Sequence, residues 1–162
     1  MIALNKNNIA FKALQPMFAV VANILLAYIV YFVARVAYLL ENYSLFKEGL
    51  SFEHLIRMFQ GGLMFDTTAI VYSNALYVLL MLFPLWFKET NTYHRFCRWL
   101  FVIVNAIGLF LNLCDAVYFP FTLRRTTTSV FREFDNENNL GSIFATELLN
   151  HWYFVLVFVV VV

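Results

Sequence analysis

Three ionisable side chains stand inside long apolar stretches of this sequence: Arg35, Asp66 and Asp115. A charge at the centre of a bilayer costs about 2.5–3.5 kcal/mol on insertion scales, so opposite charges at one depth are expected to pair. Arg35 is therefore expected to bridge Asp66, Asp115 or both. Such a group either locks helices together as an ion pair or forms a polar recess for a lipid headgroup or a coupled ion. A second candidate is the pair Arg124 and Arg125. They suit a phosphate because the guanidinium fork donates bidentately, and they equally suit snorkelling to an interface. Thr126, Thr127, Thr128 and Ser129 follow with hydroxyls but no partnered base, so no nucleophile is assigned there. His54, His94 and His151 fall in three separate loops and suggest no metal site. No paired-carboxylate site, glycine-rich phosphate loop or Ser/His/Asp constellation is present, so no catalytic, cofactor-binding or metal-ligating residue is assigned to this chain.

The elements that must position these residues are read from composition and hydropathy. The 162 residues are 62% hydrophobic, 19% aromatic and 13% charged, whereas soluble domains carry about 25% charged residues. The formal net charge of +1 leaves no basic field for nucleic acid. Five glycines and three prolines fit long helices better than a turn-rich barrel. We expect an all-α polytopic bundle: an N-terminal segment 1–16, a first span 17–40, an outer loop 41–62 with an interfacial helix 52–60, a second span 63–87, an inner loop 88–98, a third span 99–119, an outer amphipathic loop 120–151, and the start of a fourth span at 152–162. A signal peptide is disfavoured, because the first apolar run far exceeds a signal core of about 7–15 residues. The last apolar run, eleven residues from Trp152, covers only about 16 Å of a hydrocarbon core about 30 Å thick. The chain is therefore expected to continue beyond Val162.

Lys6 and Lys12 with no acid before the first span, and Lys88, Arg95 and Arg98 against Glu89 in the short inner loop, place the N-terminus inside. Spans of alternating direction then bring Arg35, Asp66 and Asp115 to one level beneath the outer face. Asn105, Gly108, Asn112 and Asp115 are spaced three, four and three, which is one helical face. Asp66, Ser73, Asn74 and Tyr77 share a broad face of the second span, and Ala19, Asn23 and Ala27 recur every four on the first. Small and amide residues in such rows read as helix-packing surfaces, with an ion pathway as the other reading. In the outer loop, Ser51 is a candidate N-cap, and Gly61-Gly62 is expected to stop the interfacial helix. Pro120 is expected to close the third span. Asn42-Tyr43-Ser44 matches a glycosylation acceptor but lies against the membrane. Cys97 and Cys114, 17 residues apart on one expected helix, stand roughly 25 Å apart, too far for a disulfide.

Gly61-Gly62-Leu63-Met64-Phe65-Asp66 entering the second span, with Asn112-Leu113-Cys114-Asp115-Ala116-Val117-Tyr118-Phe119-Pro120-Phe121 and then Arg124-Arg125, resembles the N-terminal membrane domain of bacterial lipoteichoic acid synthase-like, sulfatase-family proteins. Many members of that family carry a basic residue just before the Phe-Asp pair, where this chain has Met64. The resemblance implies about five membrane helices in the bacterial cytoplasmic membrane, followed by an extracytoplasmic domain of the alkaline phosphatase superfamily. That domain would hold a hydroxyl nucleophile and a divalent metal, and would transfer glycerol phosphate from a lipid or cleave phosphate or sulfate esters. In this chain the resemblance implies a membrane module that contacts anionic phospholipid headgroups and its own downstream domain. Asp66, Asp115, Arg124 and Arg125 would organise its outer face. The other readings open at this point are a small transporter or channel subunit using Arg35, Asp66 and Asp115, and a structural assembly subunit.

Overall fold

The computed structural model describes residues 6–49, 51–83, 90–123 and 146–162. Among these every regular element is helical: α1 (Lys6–Glu41), α2 (Tyr43–Phe46), a 3-10 turn (Lys47–Gly49), α3 (Phe52–Ser73), α4 (Ala75–Leu82), α5 (Asn91–Thr122) and α6 (Trp152–Val161). Residues 146–150, just before α6, are helical as well. Two helices are long and apolar enough to cross a membrane, over Leu14–Glu41 and Asn91–Phe121. A third crossing exists if α3 and α4, bent by 54° at their junction, count as one broken span. The ten residues of α6 form a shorter apolar helix.

The surface is inverted relative to that of a soluble bundle. Val21, Leu25 and Ile29 form an i, i+4 row on α1 with 57–60% of each residue exposed, and Ile103, Ile107 and Leu111 repeat the pattern on α5 at 52–57%. The amides Asn42, Asn74 and Asn105 and the carboxylate of Asp115 are buried instead. In hydrocarbon the outward face costs nothing when it is apolar, while each polar group must find a partner inside. The same inversion explains why helix is the only regular backbone among the described residues, since it satisfies its own N–H and C=O groups without water.

Contacts order the helices by direction. On α1, residues 31, 34 and 38 meet Gly108, Leu113 and Phe119 of α5 in ascending order, so α1 and α5 run parallel. Asn23, Tyr28 and Arg35 meet Tyr77, Thr67 and Asp66 in descending order, so α3 and α4 run opposite to α1. α6 starts beside Glu41 and ends near Leu26 and Ala27, antiparallel to α1. One core cluster joins Ala27, Tyr31, Ile70, Tyr77 and Phe101, and another joins Ala34, Leu109, Leu113, Ala116 and Phe154 of α6.

Several boundaries differ from those expected of the sequence, each for a local reason. α1 starts at Lys6 and carries Pro16 inside it. Gly61-Gly62 does not end a helix: α3 runs unbroken from Phe52 to Ser73, and neither glycine has a positive φ. The expected interfacial helix and the first part of the expected second span are therefore one rod, and Asp66 lies 14 residues from its start rather than about four. The interruption falls at Asn74, whose side-chain Nδ2 donates to the Ile70 carbonyl at 3.0 Å and competes with the backbone ladder. Pro120 sits inside α5, which continues to Thr122 and is capped by Leu123 in the left-handed region at φ 53°. Ser51 does cap α3, accepting from the His54 N–H at 3.2 Å. Cys97 and Cys114 are both free thiols on α5. The first residues of the inner loop expected at 88–98, and most of the outer loop expected at 120–151, lie outside the described residues.

Candidate functional site

Two of the three charges in the apolar runs meet where α1 packs against α3. Arg35 Nη2 lies 2.6 Å from Asp66 Oδ1, with the two side chains 11% and 13% exposed. Gly62, one turn before Asp66 on α3, makes the approach possible: a Cβ built on it would overlap the Arg35 guanidinium. The glycine expected to stop a helix instead provides the bare backbone against which a cation lies. Tyr28 Oη donates to Thr67 Oγ1 at 3.0 Å beside the pair, and Thr67 Oγ1 donates back to the Leu63 carbonyl at 2.7 Å. Of the two carboxylates expected to meet Arg35, Asp66 forms the described ion pair. Asp115 is buried on α5, 7% exposed, next to Ala116 in the second core cluster.

A cavity of about 250 Å³ opens beside this ion pair, walled by Tyr28, Ile29, Phe32, Phe59 and Leu63, with Arg35 and Asp66 at one side. Phe32 and Phe59 close part of it with ring centroids 5.6 Å apart. Apolar walls with one charged pair suit an amphiphile, whose chain would contact the aromatic and aliphatic residues and whose polar end would meet the pair.

Other polar residues of these helices bond from one helix to another. Asn74 and Asn105 exchange amide bonds between α3–α4 and α5, Asn105 Nδ2 to Asn74 Oδ1 at 2.8 Å and Asn74 Nδ2 to Asn105 Oδ1 at 3.3 Å. Asn23 Nδ2 donates to Tyr77 Oη at 2.6 Å. The polar row expected on α5 is thus realised at three points: Asn105 in this clasp, Gly108 under the Tyr31 hydroxyl, where a Cβ would collide, and Asn112 Nδ2 bonded to the Gly108 carbonyl at 2.9 Å. Arg124 and Arg125 lie outside the described residues.

Two hydrogen bonds that the sequence patterns did not reveal satisfy helix carbonyls left without a donor, the first because of a proline. Proline has no N–H, so the carbonyl four residues before it lacks its helical donor. For Pro120 that carbonyl is Ala116, and Asn42 Nδ2 donates to it at 3.0 Å from the end of α1. The other is at a helix end: α4 stops at Leu82 with Phe83 extended, which leaves its last carbonyls without helical donors, and Tyr93 Oη donates to that of Leu80 at 2.6 Å from the start of α5. Counting back four from Pro120 would have flagged the Ala116 carbonyl, though not its partner, which lies 74 residues away. A third group also carried no signal in the sequence. Glu41 at the end of α1 accepts from Tyr153 Oη at 2.6 Å and lies 3.3 Å from His151 Nε2, and Glu147 Oε2 lies 3.4 Å from His151 Nδ1.

No family model matches this chain, and no curated protein or solved structure matches it. Among the described residues no group of three or more His, Cys, Asp or Glu side chains is arranged to hold a metal ion.

Proposed function

We propose that this chain is the membrane-anchoring module of an extracytoplasmic enzyme of the phosphoglycerol transferase and sulfatase-like class, seated in a bacterial cytoplasmic membrane with its N-terminus inside. What supports anchoring is the destination of the polar side chains: Arg35 bonds Asp66, Asn74 bonds Asn105 and Asn23 bonds Tyr77, each pair tying one helix to another. Groups bonded in this way fix the bundle as a scaffold. The class of the parent enzyme rests on the resemblance of residues 61–66, 112–121 and 124–125. Catalysis would then belong to a downstream domain with a divalent metal, and the contribution of this chain would be positional, holding that domain at the outer leaflet where its lipid substrate is concentrated. A lipid-presenting role is favoured by the cavity beside Arg35 and Asp66, with Arg124 and Arg125 as the headgroup contacts.

The coding sequence downstream of Val162 tests the parent class: a further helix and a metallo-phosphatase-type domain support it, and an in-frame stop overturns it. Reconstitution in liposomes tests the anchor. We expect no ion or proton flux from the chain or from its Asp66→Asn variant, whereas a flux that Asp66→Asn abolishes would show a transporter or channel subunit.

A further inference from the structure

Asp66 leaves much of the Arg35 guanidinium unserved. A guanidinium carries five N–H donors and no acceptor. One carboxylate takes at most two of them side by side, and Asp66 is the only acceptor paired with Arg35 among the described residues. At least three donors therefore remain on a side chain that is 11% exposed, in surroundings where an unpaired N–H is costly. Their acceptor has to come from the cavity. A buried water keeps about 2–4 polar partners, whereas Ile29, Phe32, Phe59 and Leu63 supply none and the Tyr28 hydroxyl is bonded to Thr67. Ile29, Phe32 and Leu63 are each more than half exposed, so the slot opens sideways, onto the face that meets lipid. An occupant must therefore join an apolar body to an acceptor.

Depth and charge select that acceptor. The stretch Leu14–Glu41 of α1 has 28 residues, about 42 Å of helix, which matches the roughly 40–45 Å of a bilayer with its headgroups. Arg35 lies six residues before Glu41, about 9 Å below that end, whereas the headgroup layer is only about 5–8 Å thick on each side. The guanidinium is thus at the edge of the hydrocarbon, level with the ester carbonyls of a glycerolipid and below its phosphate. Arg35 and Asp66 together carry no net charge, so a neutral carbonyl fits, while an anion would be repelled by the carboxylate. The α1 wall of the slot, Tyr28, Ile29 and Phe32, stands one to two turns before Arg35, deeper in the hydrocarbon, where the chain attached to such an ester runs. The volume of about 250 Å³ is below the roughly 300–1,000 Å³ of pockets that enclose a drug-sized ligand, so it takes part of one chain.

We propose that the slot between α1 and α3 seats one acyl chain of a bilayer glycerolipid, with the ester carbonyl of that chain accepting from Arg35 and the headgroup left outside the site. Recognition is then blind to the headgroup and dependent on the ester. This deepens the lipid-presenting reading and rests on it for the lipid, while the class of the parent enzyme plays no part.

The test is native mass spectrometry of the full chain released from mixed micelles that contain equal amounts of a diester and a diether phosphatidylglycerol of one chain length. The ether keeps the chain and headgroup but removes the carbonyl. We expect the wild type to retain the diester about tenfold over the diether, the scale of one hydrogen bond to a charged group. Diester phosphatidylglycerol and diester phosphatidylcholine should be retained equally. Ile29→Trp, at a wall position 60% exposed, fills the slot and should release the lipid with helix content by circular dichroism unchanged. Arg35→Lys, which keeps the charge with three donors, should bring the diester-to-diether ratio toward one. Equal retention of diester and diether by the wild type, a diester preference that survives in Ile29→Trp, or a ratio unchanged in Arg35→Lys would each overturn the site. Retention that follows the anionic headgroup and disappears in the double variant Arg124→Gln, Arg125→Gln would overturn it and leave lipid presentation standing, and retention of neither lipid would overturn both.

Discussion

The close approach of Arg35 to Gly62 makes an unusual demand on a single methyl group. In an ordinary exposed helix, replacing glycine by alanine is favourable by about 1 kcal/mol, because glycine loses more backbone freedom on folding. Gly61 meets nothing within 4 Å of a built Cβ, so Gly61→Ala should stabilise the bundle by about that amount. Gly62→Ala places its methyl in the space of the Arg35 guanidinium and must displace it from Asp66. Breaking a buried ion pair costs about 3–5 kcal/mol when a charge is left uncompensated. Arginine can relieve part of this by extending toward the interface, which points to the lower end, about 3 kcal/mol. After subtracting the gain of about 1 kcal/mol from helix propensity, Gly62→Ala should destabilise by about 2 kcal/mol. Neighbouring glycines on one helix should thus respond to the same substitution with opposite sign. Equilibrium unfolding by SDS in mixed micelles, followed by far-ultraviolet circular dichroism and tryptophan emission, measures both. In an Arg35→Met background the pair is absent and Gly62→Ala should become neutral or stabilising. Equal shifts for the two alanine variants, or a Gly62→Ala cost that persists in the Arg35→Met background, would refute the reasoning.

The amide clasp should show a coupling of about 0.6–1.7 kcal/mol between Asn74→Leu and Asn105→Leu in a double-mutant cycle, the range found for interhelical hydrogen bonds in bilayers, and no coupling would count against it. Asn42→Leu should cost about 1–3 kcal/mol by leaving the Ala116 carbonyl without a donor, and Pro120→Ala, which restores a backbone N–H four residues on, should recover most of that loss in the same unfolding assay. Tyr93→Phe should cost a similar amount through the Leu80 carbonyl and should gain nothing from Pro120→Ala.

The sequence already carried the helical class, the membrane-compatible character and the inward rows of polar residues, because all three depend on composition and on the 3.6-residue period. Arg35 with Asp66 was legible for the same reason: opposite charges in apolar runs have few other partners. The bend at Asn74 was not legible, since an asparagine within an apolar helix either bonds across to a neighbour or competes with its own backbone, and here it does both. Gly61-Gly62 misled because a glycine pair marks a helix end only when one residue turns left-handed, and neither does.

What the order of residues determined by itself was which faces could meet lipid and which charges needed each other, because burial of polar groups in hydrocarbon is decided by residue type and period. What only the tertiary structure decided was the identity of partners separated by long stretches of chain: Asn42 with the Ala116 carbonyl across 74 residues, and Tyr153 with Glu41 across 112. Those pairings depend on the parallel run of α1 and α5 and on the return of α6 to the end of α1. No local pattern encodes them, because each partner would satisfy its own local rule equally well with water or with another chain.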